Sequence, residues 1–104
     1  ILMAVKADGV DLAATTVSNV AQAGAQGGSY SVTICNRGAS SVTVRLGLGT
    51  SATFQDARYF LYDEPLAAKS SMTFSPIVAE ANDYIVAYSS AASVNAICTG
   101  FDEA

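Results

Sequence analysis

The chain has 104 residues, 51% of them hydrophobic and only 13% charged, with a net charge of −4. A chain of that length forms one domain and buries roughly 60 to 70% of its extended surface around a single modest core. The acidic balance and the scattering of Lys6, Arg37, Arg45, Arg58 and Lys69 exclude a nucleic-acid partner, and no apolar run approaches the roughly 18 residues of a membrane helix.

Residues 1–10, ILMAVKADGV, lack the apolar core and cleavage pattern of a signal peptide, so the chain reads as soluble. A start at Ile1 fits a processed product or the ordered part of a longer chain. Residues 1–5 form an apolar run that meets a turn signal at Asp8-Gly9, which suits an edge strand or an arm that docks on a neighbour. Thr, Val and Ser in 12–20 suggest a strand, and the glycine pairs of 21–28 (AQAGAQGG) suggest a loop. Residues 1–28 therefore read as an arm or first strands with a Gly/Ala-rich loop, and 29–104 as the body.

The cleanest pattern lies in 29–49. Tyr30, Val32 and Ile34 alternate with Ser31, Thr33 and Cys35, and Val42, Val44, Leu46 and Leu48 alternate with Thr43, Arg45 and Gly47. Asn36-Arg37-Gly38-Ala39-Ser40 between them predicts an antiparallel hairpin with a long loop. After a connection at 50–56 comes the aromatic strand 58–63 (RYFLYD), with Tyr59 and Leu61 on one face and Arg58, Phe60 and Tyr62 on the other. Both faces are apolar, so the strand is expected to lie between the core and a second buried surface, with Phe60 and Tyr62 at a contact between chains. Pro65 is expected to end it. Met72 and Phe74 alternate with Ser71, Thr73 and Ser75 in 71–76; 77–83 is a loop; Tyr84, Val86 and Tyr88 oppose Ile85 and Ala87 in 84–88; and Val94, Ala96 and Cys98 oppose Asn95, Ile97 and Thr99 in the last strand. The sum is an all-β, antiparallel β-sandwich of jelly-roll-like form with roughly seven or eight short strands. Its core is predicted to contain Val32, Ile34, Val44, Leu46, Met72, Phe74 and Val86.

Little in the chain points to chemistry. It contains no histidine, hence no imidazole base or Ser-His or Cys-His pair, and two cysteines do not make a usual zinc set. The glycines of 24–28 lack the lysine of a phosphate loop. Asp63-Glu64 and Asp102-Glu103 lack the oxygen-ligand spacing of a calcium loop and read as solvated charges. No catalytic, metal or cofactor residue is expected, and the chain is read as a non-enzyme. Cys35 and Cys98 read as reduced thiols in strands; the other reading is a bridge closing a long loop. The five tyrosines offer either core and cross-strand packing or a platform for stacking sugars.

Four blocks carry a resemblance: Cys35-Asn36-Arg37-Gly38 after a valine-rich strand, Tyr59-Phe60-Leu61-Tyr62-Asp63, Leu66-Ala67-Ala68, and the closing strands of 83–101. Together they resemble small β-sandwich domains in structural proteins of tailed bacteriophage virions. The resemblance implies a non-enzymatic virion component assembled in the host cytoplasm, decorating or cementing a capsid. It implies homo-oligomers, trimers above all, and contacts with major capsid or tail proteins. The alternative is a tail or head fibre module that binds carbohydrate or a receptor.

Overall fold

The computed structural model describes residues 3–51 and 53–103. Among these, eight strands make up almost all the regular structure: β1 (Met3–Leu12), β2 (Ser18–Gln22), β3 (Gly28–Asn36), β4 (Val42–Gly49), β5 (Tyr59–Leu66), β6 (Ser71–Ala79), β7 (Tyr84–Ser89) and β8 (Val94–Glu103). One 3-10 turn, Asp56–Arg58, precedes β5. The strands form two four-stranded sheets, β1-β8-β3-β6 and β2-β7-β4-β5. Their antiparallel pairings are nested: β1 with β8, β2 with β7, β3 with β6, β4 with β5. A single long hairpin rolled over on itself would have this order, with the β3–β8 and β4–β7 ladders added by the rolling. The fold is an antiparallel β-sandwich with jelly-roll topology.

Period-two alternation builds the core, because each sheet turns one side of every strand inward. Tyr30, Val32 and Ile34 of β3 meet Val94, Ala96 and Cys98 of β8 in one layer, and Val42, Val44, Leu46 and Leu48 of β4 meet Ile85 and Ala87 of β7 in the other; all are buried. Met72 and Phe74, on the edge strand β6, are half-buried against this core. Val86 is fully buried but lies outside the main cluster, on the outward side of β7.

The expected hairpin in 29–49 does not form: β3 and β4 belong to different sheets. The alternation is the same whether two strands pair or face each other across a core, so the pattern alone does not separate the two. The connection decides it. The buried Asn36 side chain donates to the carbonyls of Ser40, Leu66 and Ala67 at 2.9, 3.2 and 3.2 Å and accepts from the Gly38 amide at 2.9 Å. The Arg37 amide donates to Ser93 O. These bonds tie the loop to turns at the same end of the sandwich and carry the chain over that end.

Other boundaries also move. Asp8-Gly9 is no turn but mid-strand, paired with Cys98 and Ile97 in a ten-residue ladder without a register shift. Residues 3–12 are thus an integral strand and not a free arm; Ile1 and Leu2 lie outside the described residues. Pro65 stays within β5, opposite Thr43, where an edge strand tolerates its missing N–H. Strand β6 extends to Ala79, through residues expected to be loop.

Candidate interaction surfaces

The ladders fix what the first sheet shows to solvent. Its outward rows are Val5, Phe101, Ser29 and Val78; then Ala7, Thr99 and Ser31; then Gly9, Ile97, Thr33 and Thr73; then Asp11, Asn95, Cys35 and Ser71. Between Glu103 at one end and Asp11 at the other, no charged side chain stands on this face. It exposes large apolar groups instead: Val5 is 77% exposed, Val78 73%, Phe101 49% and Ile97 42%. The hydroxyls among them are partly paired already, Ser31 with Ser75 at 2.7 Å and Thr33 with Thr73 at 2.8 Å. Covering such a face strands few polar groups. A shallow depression of about 470 Å³ beside Gly100 is lined by Val5, Ala7, Ser29, Thr99 and Phe101.

The second sheet is covered differently. Gly47, opposite Val86 and Tyr59, leaves room for Phe54, whose ring stacks on Tyr59 with centroids 4.6 Å apart; a Cβ at Gly47 would come within 3.1 Å of that ring. Val86 lies beside Gly47 under this lid. Phe54 and Tyr59 thus cover part of the outer side of the second sheet from within the chain. Tyr59 also meets the edge of Tyr62, at 5.0 Å. Arg45 lies between the rings of Tyr62 and Tyr88, 4.4 and 4.7 Å from their centroids, and binds Asp63 through Nε at 2.6 Å and Nη2 at 3.3 Å. Asp63 reaches it because the β4–β5 ladder shifts register here and Asp63 takes a positive φ of 51°. The bond from Arg45 holds the Asp63 carboxyl below its ordinary range.

Phe60 and Tyr62, the expected chain contacts, are separated by these register shifts. A first shift lets Phe60 and Leu61 both pack against the core, where Phe60 meets Phe74 at 4.9 Å, closing the gap between the edge strands β5 and β6. Tyr62 points outward and is 60% exposed.

Sequence reasoning missed two carboxylates that turn away from solvent, Asp83 buried and Asp102 half-buried, because a lone Asp carries no local signal of a distant partner. Asp102 does not act as a solvated charge: it turns inward, accepting from the Tyr30 hydroxyl and from the Gly24 amide at 3.1 Å, with Lys6 Nζ at 3.5 Å. The Tyr30 bond is the chief cause that lowers its pKa, and burial, aided by that bond, raises that of Tyr30. Asp83 holds Arg58 at 2.6 and 3.2 Å and accepts from the Glu80 amide at 3.0 Å, fastening the 3-10 turn to the β6–β7 turn; the Arg58 bond lowers its pKa. Neither carboxylate lies in an open cleft. Among the described residues no group of three His, Cys, Asp or Glu side chains converges as metal ligands would.

Cys35 and Cys98 are free thiols. Cys98 points into the core opposite Val32, whereas Cys35 points outward opposite Asn95, three residues along the same ladder. At about 3.4 Å per residue that offset is roughly 10 Å, beyond disulfide reach, and the side chains lie on opposite faces. Burial pushes the Cys98 thiol up to about 11.

Compared with known proteins, the chain matches no protein-family model, no curated protein and no solved structure.

Proposed function

We propose that the chain is a non-enzymatic structural module that works by packing, as a virion protein that decorates or cements a capsid would. One observation carries this reading: the neutral, partly apolar outer face of β1-β8-β3-β6, with two of its hydroxyl pairs internally satisfied. Monomeric proteins rarely leave so continuous a face to water. The virion setting, the shell or tail partner and threefold closure rest on the resemblance of the motif blocks; the geometry supports self-association without fixing its order.

The test is light scattering on the purified chain and on a Ser29→Lys/Val78→Lys variant, which sets two charges in the middle and at the β6 side of the face. The wild type should self-associate at high micromolar concentration, and the folded variant should form smaller species. Equal masses would remove this face from the reading.

The fibre alternative has one observation in its favour, the exposed Tyr62 ring backed by Arg45 and Asp63, an arrangement of aromatic platform and polar groups suited to a sugar ring. A glycan array probed with wild type and Tyr62→Ala distinguishes it: binding lost in the variant would favour the fibre role.

A further inference from the structure

We propose that β1 pairs edge to edge, antiparallel, with β1 of a second copy about a twofold axis at Ala7, joining two sheets into one of eight strands. This rests in part on the packing function above, since it names a partner for one rim of the same sheet. Exposed strand edges are normally blunted by bulges, proline, shortness or charge. Three of the four edge strands here are blunted by irregular register, proline or shortness. Strand β5 has two register shifts and Pro65, β6 shifts its register across Ser75 and Pro76, and β2 has five residues with a shift. Strand β1 has ten residues, no proline and an unbroken ladder on its paired side.

Its charges select the partner. Lys6 and Asp8 both face the inner side, in line with Gly100 and Cys98. A lone inward lysine on an edge deters pairing. For two copies to keep their inner faces on the same side, the two-fold must fall on a residue, so that residues of equal parity meet. Centring on Lys6 sets Lys6 against Lys6, and centring on Asp8 sets Asp8 against Asp8. Centring on Ala7 sets each Lys6 against the other copy's Asp8, giving two complementary cross-strand pairs. The same register brings Ala4 opposite Val10. It also lays Val5 over Gly9, where Ile97 Cγ1 lies 4.0 Å from the place a Cβ would take, so that two exposed apolar groups cover each other. Pairing residues 3–11 supplies about nine backbone hydrogen bonds, as many as a typical protein interface holds.

The register makes position 7 self-facing, which an experiment can read. In a Cys35→Ser background, Ala7→Cys should form an intermolecular disulfide under mild oxidation. Val5→Cys, about 13 Å from its own copy in this register, should not. Asp8→Lys, which turns both complementary pairs into lysine pairs, should raise the dimer dissociation constant about tenfold or more in sedimentation equilibrium. A wild-type monomer at high micromolar concentration, or a dimer that fails to cross-link through position 7, would overturn the edge pairing. Ser29→Lys/Val78→Lys separates the two readings, because Val78 lies on the far edge strand and Ser29 in mid-sheet. Cross-linking retained in that variant with larger species lost supports both. Cross-linking with no effect of those lysines leaves the edge pairing standing and the face reading refuted.

Discussion

The Tyr30 hydroxyl donates to the Asp102 carboxylate, joining residues 72 positions apart in the chain. The tyrosine ring crosses the inner side of the first sheet over two glycines: a Cβ on Gly28 would come within 2.7 Å of its Cζ, and one on Gly100 within 3.0 Å of its Cδ1. Tyr30→Phe keeps the ring and removes the donor. Asp102 retains Gly24 and Lys6, so the expected loss is about 1.5 to 2 kcal/mol, the low end of the range for a bond to a charged group. Thermal unfolding should show a Tm lower by about 5 to 10 °C; an unchanged Tm would mean that water replaces the hydroxyl without penalty.

Asp102 and Asp83 both have depressed pKa values, the first through Tyr30 and the second through Arg58. A depressed carboxyl binds fewer protons folded than unfolded, so its stabilisation is complete above the unfolded value of about 3.9 and is lost as pH falls through the lower folded value. Stability should therefore be flat from about pH 5 to 7 and fall below about pH 4. Urea midpoints at pH 7 and pH 3 measure the drop, and Asp83→Asn should start lower at pH 7 and lose less on acidification.

The fold class was legible because alternation survives wherever a strand has one wet and one dry face, as in β3, β4, β7 and β8. Connectivity was not legible, since Val32 and Val44 alternate alike whether their strands pair or oppose each other. Bulges defeated the reading of β5: one extra residue put Phe60 on the side of Leu61 and left Tyr62 outside. The neutral outer face was visible only as a low overall charge, because its rows draw on four strands from both ends of the chain.

Cys35 and Cys98 should differ in reactivity towards a thiol reagent. Cys35 is partly exposed on the outer face, whereas Cys98 is fully buried with its thiol pushed up to about 11. Native protein near pH 8 should label fast at one site and at the second only on the timescale of unfolding. Two fast sites would show that the β1–β8 edge opens readily, and no reactive thiol after denaturation without reductant would show oxidation.

Asn36 carries four hydrogen bonds at full burial, three of them to carbonyls; Leu66 O also accepts from Ser41 Oγ at 3.4 Å and Ala67 O from Ser70 Oγ at 2.6 Å, so Asn36 is the side-chain partner of Ser40 O and of the Gly38 amide. Asn36→Leu keeps the branched shape at a larger volume but leaves the Ser40 carbonyl and the Gly38 amide without their side-chain partner. The expected loss is about 3 kcal/mol or more, because each buried orphan costs about 1 to 3 kcal/mol. Asn36→Asp should also fail, since it replaces a donor with a charge among carbonyl oxygens. Chemical denaturation of both variants checks this, and a loss below about 1 kcal/mol would mean that the loop rearranges to let water in.

Phe60 and Tyr62 should respond oppositely to truncation although they are two residues apart on one strand. Phe60 fills the space between β5 and β6 against Phe74, so Phe60→Ala should cost about 2 to 3 kcal/mol, near the low end for an aromatic because the side chain is only half-buried. Phe60→Asp should cost more, by placing a carboxylate against the core, and at the extreme should prevent folding. Tyr62→Ser removes one of two rings flanking Arg45 and exposes nothing in the core, so its cost should stay near 0.5 to 1 kcal/mol. Urea denaturation of Phe60→Ala and Tyr62→Ser, with light scattering alongside, separates fold from assembly. A stable, normally folded Phe60→Ala with reduced mass would return Phe60 to a chain contact and contradict the inward packing of β5.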